Sequence, residues 1–375
     1  MKMLSALLLL LLATFSAQAG DDLTLTRTFD RMSPPGADIW LWNGVSEGYS
    51  FQSNAYGNNT VSCASSSNPS TGACPTGRRN INDTSNTPIT LLFTEKRSAL
   101  TVKLTLQSYR NAYAKNGTNC GRFARIFSLD AFANVGCQGT GEVRDTSDLY
   151  VYIPASELAK LPVGGVWTAR LKLSSYYAGT STSPNTSKIF NADITLNVTD
   201  PSHVDIYFPE FGTASPRVDL DLHPHGSPNE NPWAADTVSL DMCLYDGYNA
   251  NSTQYDVLLH DEQKAHDGRS DGDFSIYRVG GDASETRDRV DYHVRMYNPE
   301  NDSMLDVVNN QQLTWTQINQ GRVRPVRLPA IPTPVLCSPT PLKLSVAKFS
   351  IADKNAGYYQ GTLTVVFTPT TPTVD

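Results

Sequence analysis

Apolar and polar residues alternate along most of this chain. In "AGYYQGTLTVVF", residues 356–367, Tyr359, Gly361, Leu363, Val365 and Phe367 fall on one face of an extended strand. Tyr358, Gln360, Thr362 and Thr364 fall on the other. A period of two marks a half-buried β-strand. The same alternation recurs in "LTLTRTF", "ADIWLW", "TPITLLF", "ALTVKLTL", "DLYVYI", "VWTARLKL", "ADITLNV", "RVDLDL", "TVSLDMCLY", "YDVLLH", "DYHVRMY" and "KLSVAKF". Clusters of Asn, Gly, Pro, Ser and Asp separate these runs. Many short alternating strands with turn residues between them predict an all-β chain of Ig-like β-sandwiches. Strand–helix alternation is missing, which argues against a doubly wound α/β fold. One short helix is predicted at "ASELAKL", Ala155 to Leu161, stopped by Pro162.

Only "TPTTPTVD" follows the last alternating run, and it offers no further strand. A bare strand edge beside an apolar face is an aggregation hazard. The partner for that edge is therefore expected from another chain.

The first residues read as a secretory signal, 1–19. Lys2 supplies the charge, Leu4 to Leu12 the apolar run, and Ala17-Gln18-Ala19 the small-residue cleavage site. That run is too short to span a bilayer. The mature length allows one large or two medium domains. Asp-Pro in "VTDPSH" punctuates two alternating runs, so the expected division is 20–199, a short linker 200–202, and 203–375. Six cysteines remain, at 63, 74, 120, 137, 243 and 337. An even number in an exported chain predicts disulfides, and sequential pairing Cys63–Cys74, Cys120–Cys137, Cys243–Cys337 is the simplest connectivity.

Charge adds an asymmetry. The chain carries −7 overall; residues 20–200 hold 16 Lys+Arg against 14 Asp+Glu (+2), and 201–375 hold 13 against 23 (−10). No basic stripe of the kind nucleic-acid binding needs is present. "GVSEG", Gly44 to Gly48, fits a nucleophile-elbow pattern, but "YSFQSNAYG" follows where a helix is required. All six histidines lie in the second half, so no base sits near Ser46 in sequence, and the stretch is read as a turn. "HPH", His223 to His225, lacks identifiable further metal ligands. The acidic runs "HDEQ" and "DGRSDGD" do not fit a calcium loop and read as a solvated face. No catalytic residue, metal site or cofactor site is assigned. Seven Asn-x-Ser/Thr sequons, at Asn58, Asn82, Asn116, Asn185, Asn197, Asn251 and Asn301, leave a tandem Ig-like cell-surface receptor as an alternative.

Seven stretches carry a resemblance. They are "TGACP" (71–75), "LFTEKRS" (92–98), "YIPASELAKLPVGGVW" (152–167), "RVDLDLHP" (217–224), "DMCLYDGY" (241–248), "PVLC" (334–337) and "AGYYQGTLTVVFTP" (356–369). In order and spacing they resemble the tip adhesins, or minor pilins, of class 5 fimbriae built by the alternate chaperone–usher pathway, the colonization factor antigen I type. The resemblance implies an N-terminal adhesin domain and a C-terminal pilin domain that lacks its final strand. It implies that a groove is filled first by a periplasmic chaperone, then at the outer-membrane usher by the N-terminal strand of the major pilin. Such strand addition uses backbone pairing and alternate side-chain pockets. Leu363, Val365 and Phe367 are expected to line one wall, and "HVDIYF", with Val204 and Ile206, the other. A pilus component with a groove and no donor strand sits at the tip, exported through the periplasm to the cell surface. "LTLTRTF" is read as the first strand of the adhesin domain rather than as a donor.

The resemblance also implies a host-glycan receptor, bound in relatives by arginines at the outer pole. Their positions are not kept. Tyr176, Tyr177 and Ala178 occupy a turn where relatives carry paired arginines, and the other arginine position falls near Asn58–Asn59. Arg78 and Arg79 are the candidate substitutes. With Tyr176 and Tyr177 they form the expected receptor site, because tyrosines stack on sugar rings and arginines pair with carboxylates. A non-adhesive pilus initiator with the same groove is the runner-up.

Overall fold

The computed structural model describes residues 21–50, 59–116, 123–132, 143–177, 185–227, 231–264 and 268–374. In the first half the strands are β1 (Asp21–Asp30), β2 (Ile39–Ser50), β3 (Thr60–Cys63), β4 (Arg79–Asn80), β5 (Thr87–Glu95), β6 (Thr101–Asn116), β7 (Phe123–Phe127), β8 (Ala131–Phe132), β9 (Val143–Ile153), β10 (Gly165–Tyr177) and β11 (Asn185–Thr199). A four-residue helix, α1 (Ala155–Leu158), follows β9. The main ladder runs β1-β11-β10-β5-β6-β9-β2, with β3 on β10 and β7 on β6. Alternation dictates its inner face. In β9, Leu149, Val151 and Ile153 are fully buried while Tyr150 and Tyr152 point outward. The ladder curls until its two edge strands, β1 and β2, line one cleft.

β1 lies parallel on β11, with Asp21 opposite Phe190 and Asp30 opposite Thr199. "LTLTRTF" is thus built into its own domain. "GVSEG" is not the expected turn: it lies inside β2, whose pairing with β9 shifts register between Asn43 and Val45 and between Ser46 and Gly48. Gly44 and Gly48, both at positive φ, permit those bulges.

The second half contains β12 (Asp205–Tyr207), β13 (Trp233–Leu240), β14 (Cys243–Tyr245), β15 (Gln254–His260), β16 (Phe274–Arg278), β17 (Arg289–Asn298), β18 (Ser303–Val307), β19 (Gln312–Thr316), β20 (Arg324–Val326), β21 (Val335–Pro339), β22 (Leu342–Ser350), β23 (Tyr359–Gln360) and β24 (Thr364–Pro369). They form three ladders, β12-β14-β21-β20, β13-β22-β17-β16-β23 and β19-β15-β24, with β18 on β17. The run 356–367, expected as one strand, is divided. Its first part pairs with β16 and its second with β15. Gly361 sits at the changeover, where a Cβ would meet the Ser275 carbonyl oxygen at 3.1 Å.

Two apolar cores result. The second is built around Leu244, Tyr255, Phe274, Met296 and Trp315. The first holds Leu91, Leu106, Val151, Trp167 and Leu196, and it also takes Cys243, Tyr245, Val335 and Cys337 from the second half. Strand β14 explains this, because its side chains alternate: Cys243 and Tyr245 face the first core, Leu244 the second. β12 repeats the arrangement, with Ile206 packed on the second core and Tyr207 on the first. Disulfides join Cys63 to Cys74 and Cys243 to Cys337, with Cα atoms 5.3 and 5.8 Å apart. Cys120 and Cys137 lie outside the described residues.

Candidate functional site

One edge of the second half is open. Strand β24 pairs with β15 on one side, from Thr364 opposite His260 to Pro369 opposite Tyr255. Among the described residues its other side has no ladder partner. Leu363, Val365 and Phe367 pack on the second core yet stay half-buried, so their outer flanks lack cover. The Phe367 ring meets Tyr255 edge-on at 4.8 Å. Val366, on the opposite face, is exposed.

The expected opposite wall is more complicated. Ile206 packs on the second core from β12, an edge strand of its own ladder. Val204 precedes that strand and lies beside Gly247 at the junction of the two halves. A further segment behaves as a wall without being a strand. In 217–222, Val218, Leu220 and Leu222 are half-buried on the second core while Arg217, Asp219 and Asp221 are exposed. Among the described residues its backbone joins no ladder. The amides of Leu222 and His223 donate to the carbonyls of Leu220 and Asp221, each at 2.9 Å. The period-two signal of "RVDLDL" was visible in the sequence; that its backbone joins no ladder among the described residues was not.

The four expected receptor residues divide. The Arg78 Nε donates to Thr60 Oγ1 at 2.8 Å, and its guanidinium lies over the Phe132 ring at 4.8 Å. Burial pulls its pKa down from the usual arginine value. Tyr176 on β10 stands opposite Thr60 on β3, so Arg78 and Tyr176 share a neighbour. Arg79 is committed elsewhere. Its Nη2 donates to Asp130 Oδ1 at 2.7 Å and to Asp83 Oδ2 at 2.9 Å. Hydrogen bonds from Ser85, then Arg79, hold the Asp83 carboxyl down to about 2. Tyr177 ends β10, opposite Asn185, and Asn58 lies outside the described residues. Ser46 accepts from the Gly48 amide at 3.1 Å, a local bond within the bulge.

Behind this region sits a buried polar cluster that the pattern of residues did not announce. Arg110 is fully buried. It donates to Ser147 Oγ at 2.9 Å and to the Ala131 carbonyl at 2.7 Å. Glu47, also buried, accepts from Ser147 at 2.9 Å and Ser175 at 2.8 Å, and lies 3.9 Å from Arg110. In the second half the ring of His225 stacks on Trp233 at 4.6 Å, which ties down the "HPH" turn. Among the described residues no three His, Cys, Asp or Glu side chains group to hold a metal.

The junction between the halves is densely bonded. Glu95, fully buried, accepts from the Ser98 amide at 2.7 Å and from the side-chain amides of Asn249 at 2.8 Å and Asn251 at 2.9 Å. Arg97 crosses to the carbonyls of Ala250 at 3.0 Å and Gly321 at 2.8 Å. Gly164 and Gly247 interlock so closely that a Cβ on Gly164 would lie 2.2 Å from the Gly247 oxygen. Glu95 and Arg97 belong to "LFTEKRS", Gly164 to "PVGGVW" and Gly247 to "DMCLYDGY". Much of the family resemblance is therefore junction chemistry.

Two family models cover the chain, both of CfaE, the E component of CFA/I fimbriae: its first domain over 11–201 and its second domain over 204–371. The chain belongs to the CfaE family of CFA/I fimbrial proteins. It is 32% identical to the CFA/I fimbrial E protein of Escherichia coli over 340 residues, 89% of this chain and 86% of the relative. The crystal structure of CfaE, the adhesive subunit of CFA/I fimbria of enterotoxigenic Escherichia coli, superposes with a TM-score of 0.77 at 30% identity, covering 95% of this chain and 94% of that one. A chaperone–tip adhesin complex of CFA/I fimbriae biogenesis matches with a TM-score of 0.64 at 29% identity, covering 94% of this chain and 97% of that one. The two-domain, all-β architecture is thus shared across nearly the whole length.

Proposed function

We propose that this family member is the tip component of a fimbria. In this reading, residues 203–375 accept a donor strand from the N-terminus of the major pilin. A periplasmic chaperone fills the same groove beforehand, and the outer-membrane usher is where the exchange takes place. Residues 20–199, joined through 200–202, bind a host-cell glycan. The observation that carries the proposal is the open edge of β24, with Leu363, Val365 and Phe367 half-buried beside it. A strand laid there gains backbone pairing and fills pockets with alternate side chains. The extended segment 217–222, whose backbone joins no ladder among the described residues, suits the second wall better than Val204 does. β1 is paired along its length with β11 and is not free to donate, which supports the tip position.

A thermal melt of residues 20–375 with and without a peptide from the N-terminus of the neighbouring major pilin tests the groove. A ligand that binds only the folded state raises its melting point by mass action. The expected result is an upward shift of the melting transition to which 203–375 contributes. A second half that is already stable and indifferent to the peptide would overturn the proposal.

For adhesion, alanine at Arg78, Arg79, Tyr176 and Tyr177 together is expected to abolish binding to host cells. Unchanged adhesion would remove these residues from the receptor site. The ties of Arg79 to Asp83 and Asp130 favour Arg78 and Tyr176 as the contacting pair. They also keep the non-adhesive initiator in view: that protein would complete its groove yet bind no cells.

A further inference from the structure

We propose that the first domain carries a lateral sugar site in the cleft between β1 and β2, where one ring of a neutral hexose stacks on Trp40. The proposal rests on the adhesive reading above but uses different residues. The cleft has a volume of about 460 Å³, and its lining includes Arg27, Phe29, Asp38, Trp40 and, from the tail after β24, Val374. That volume lies within the range of small-molecule sites, roughly 300–1,000 Å³.

Trp40 is the feature that selects a sugar. The residue stays 36% exposed although it borders both the cleft and the outer face of the sheet. Three tyrosines extend its surface. Tyr152 lies across the ladder at 4.6 Å and Tyr150 at 6.3 Å, and Tyr150 stacks on Tyr109 at 4.6 Å with the rings 7° apart. Cross-strand aromatic pairs brace a sheet. Bracing alone does not call for the largest ring to stand open beside a cleft.

A hexose has an apolar face that suits such a ring and a hydroxylated rim that needs donors and acceptors. The cleft supplies both. Arg27 donates to the neighbouring Thr26 carbonyl at 2.9 Å with other N–H groups to offer, and Asp38 holds the Ala155 amide at 3.0 Å through one oxygen. One cation and one anion in the lining favour a neutral sugar over a carboxylated one. The site is also remote from the Arg78–Tyr176 region. Arg27 is opposite Leu196 on β11 and Tyr176 is opposite Thr186, ten residues along the same strand. Ten residues of strand span about 33 Å.

The test is a titration of residues 20–375 with lactose, maltose and N,N′-diacetylchitobiose, read by saturation-transfer NMR. At least one is expected to bind saturably with a millimolar Kd. Trp40→Ala should weaken it by about tenfold, equivalent to about 1.4 kcal/mol, while Trp40→Phe retains most of it. Arg27→Ala, at the exposed rim, should weaken it severalfold and guards against loss of folding in Trp40→Ala. No saturable binding of any of the three, or binding untouched by either cleft substitution, overturns the site. If the protein adheres to cells yet binds none of these sugars, the cleft fails and the adhesive reading stands. If the sugars bind through Trp40 but cells are not bound, the adhesive reading fails and the cleft stands.

Discussion

Arg110 is a cation wholly shut off from water. Burial lowers its pKa from the usual arginine value, and the Glu47 carboxylate opposes that shift. Breaking such a pair leaves one buried charge uncompensated, which costs more than removing both. Arg110→Met alone is therefore expected to destabilise the first domain by about 3–5 kcal/mol. Arg110→Met with Glu47→Leu should recover most of that loss. Chemical denaturation of both variants checks this, and equal losses would mean the two side chains do not act together. The cluster was hard to read from the sequence for a physical reason. Arg110 occupies an inward position of β6, where alternation calls for an apolar residue, and its partners arrive from β2, β8 and β9. Period-two reasoning places a side chain on a face but cannot say what faces it.

At the scale of elements, Arg79 clips the short β4 to the turn before β8. It does so through Asp130, and also reaches Asp83 in the segment that follows β4. The folded Asp83 carboxyl titrates near 2, below the roughly 3.9 of an unfolded aspartate. A depressed carboxylate contributes stability that is fully present above the unfolded value and is lost as pH falls through the folded one. Protection of the Arg79 amide, which donates to the Asp130 carbonyl, against hydrogen exchange relative to its intrinsic rate should thus hold steady from pH 7 to about 4 and fall as pH approaches about 2. Asp83→Asn should loosen the clip at neutral pH and remove that part of the acid dependence. An unchanged profile would show that Asp130 alone holds Arg79. Other elements were more legible. "VWTARLKL" and "ADITLNV" became β10 and β11, and "ASELAKL" gave the short helix. "RVDLDL" kept its alternation without joining a ladder among the described residues, and 356–367 split between two sheets. Neither outcome changes which face is apolar, so neither leaves a mark on the pattern.

At the scale of the molecule, the two halves are not beads on a string. β14 and β12 give one face to each core, and Glu95 and Arg97 bond across the junction. Gly247 has a φ of +66°, and a Cβ there would lie 2.3 Å from the Asp200 oxygen. Gly247→Ala should therefore push the halves apart as well as strain its own backbone. The expected loss is a few kcal/mol, of order 1–3 from overpacking plus the conformational penalty. Calorimetry should show the change as poorer coupling between the two domains' transitions. A melt identical to the parent would mean the junction gives way freely.

The sequence by itself determined the class of fold, the positions of most strands and the family, because these depend on local alternation, turn residues and the order of motifs. It did not determine which strands pair, which polar residues are buried, or that Arg79 is already engaged. Those outcomes depend on residues brought together from distant parts of the chain, such as Glu47 with Ser175 or Glu95 with Asn251. Only the tertiary structure decided them, since a side chain's role is set by its spatial neighbours and the chain's order does not name those.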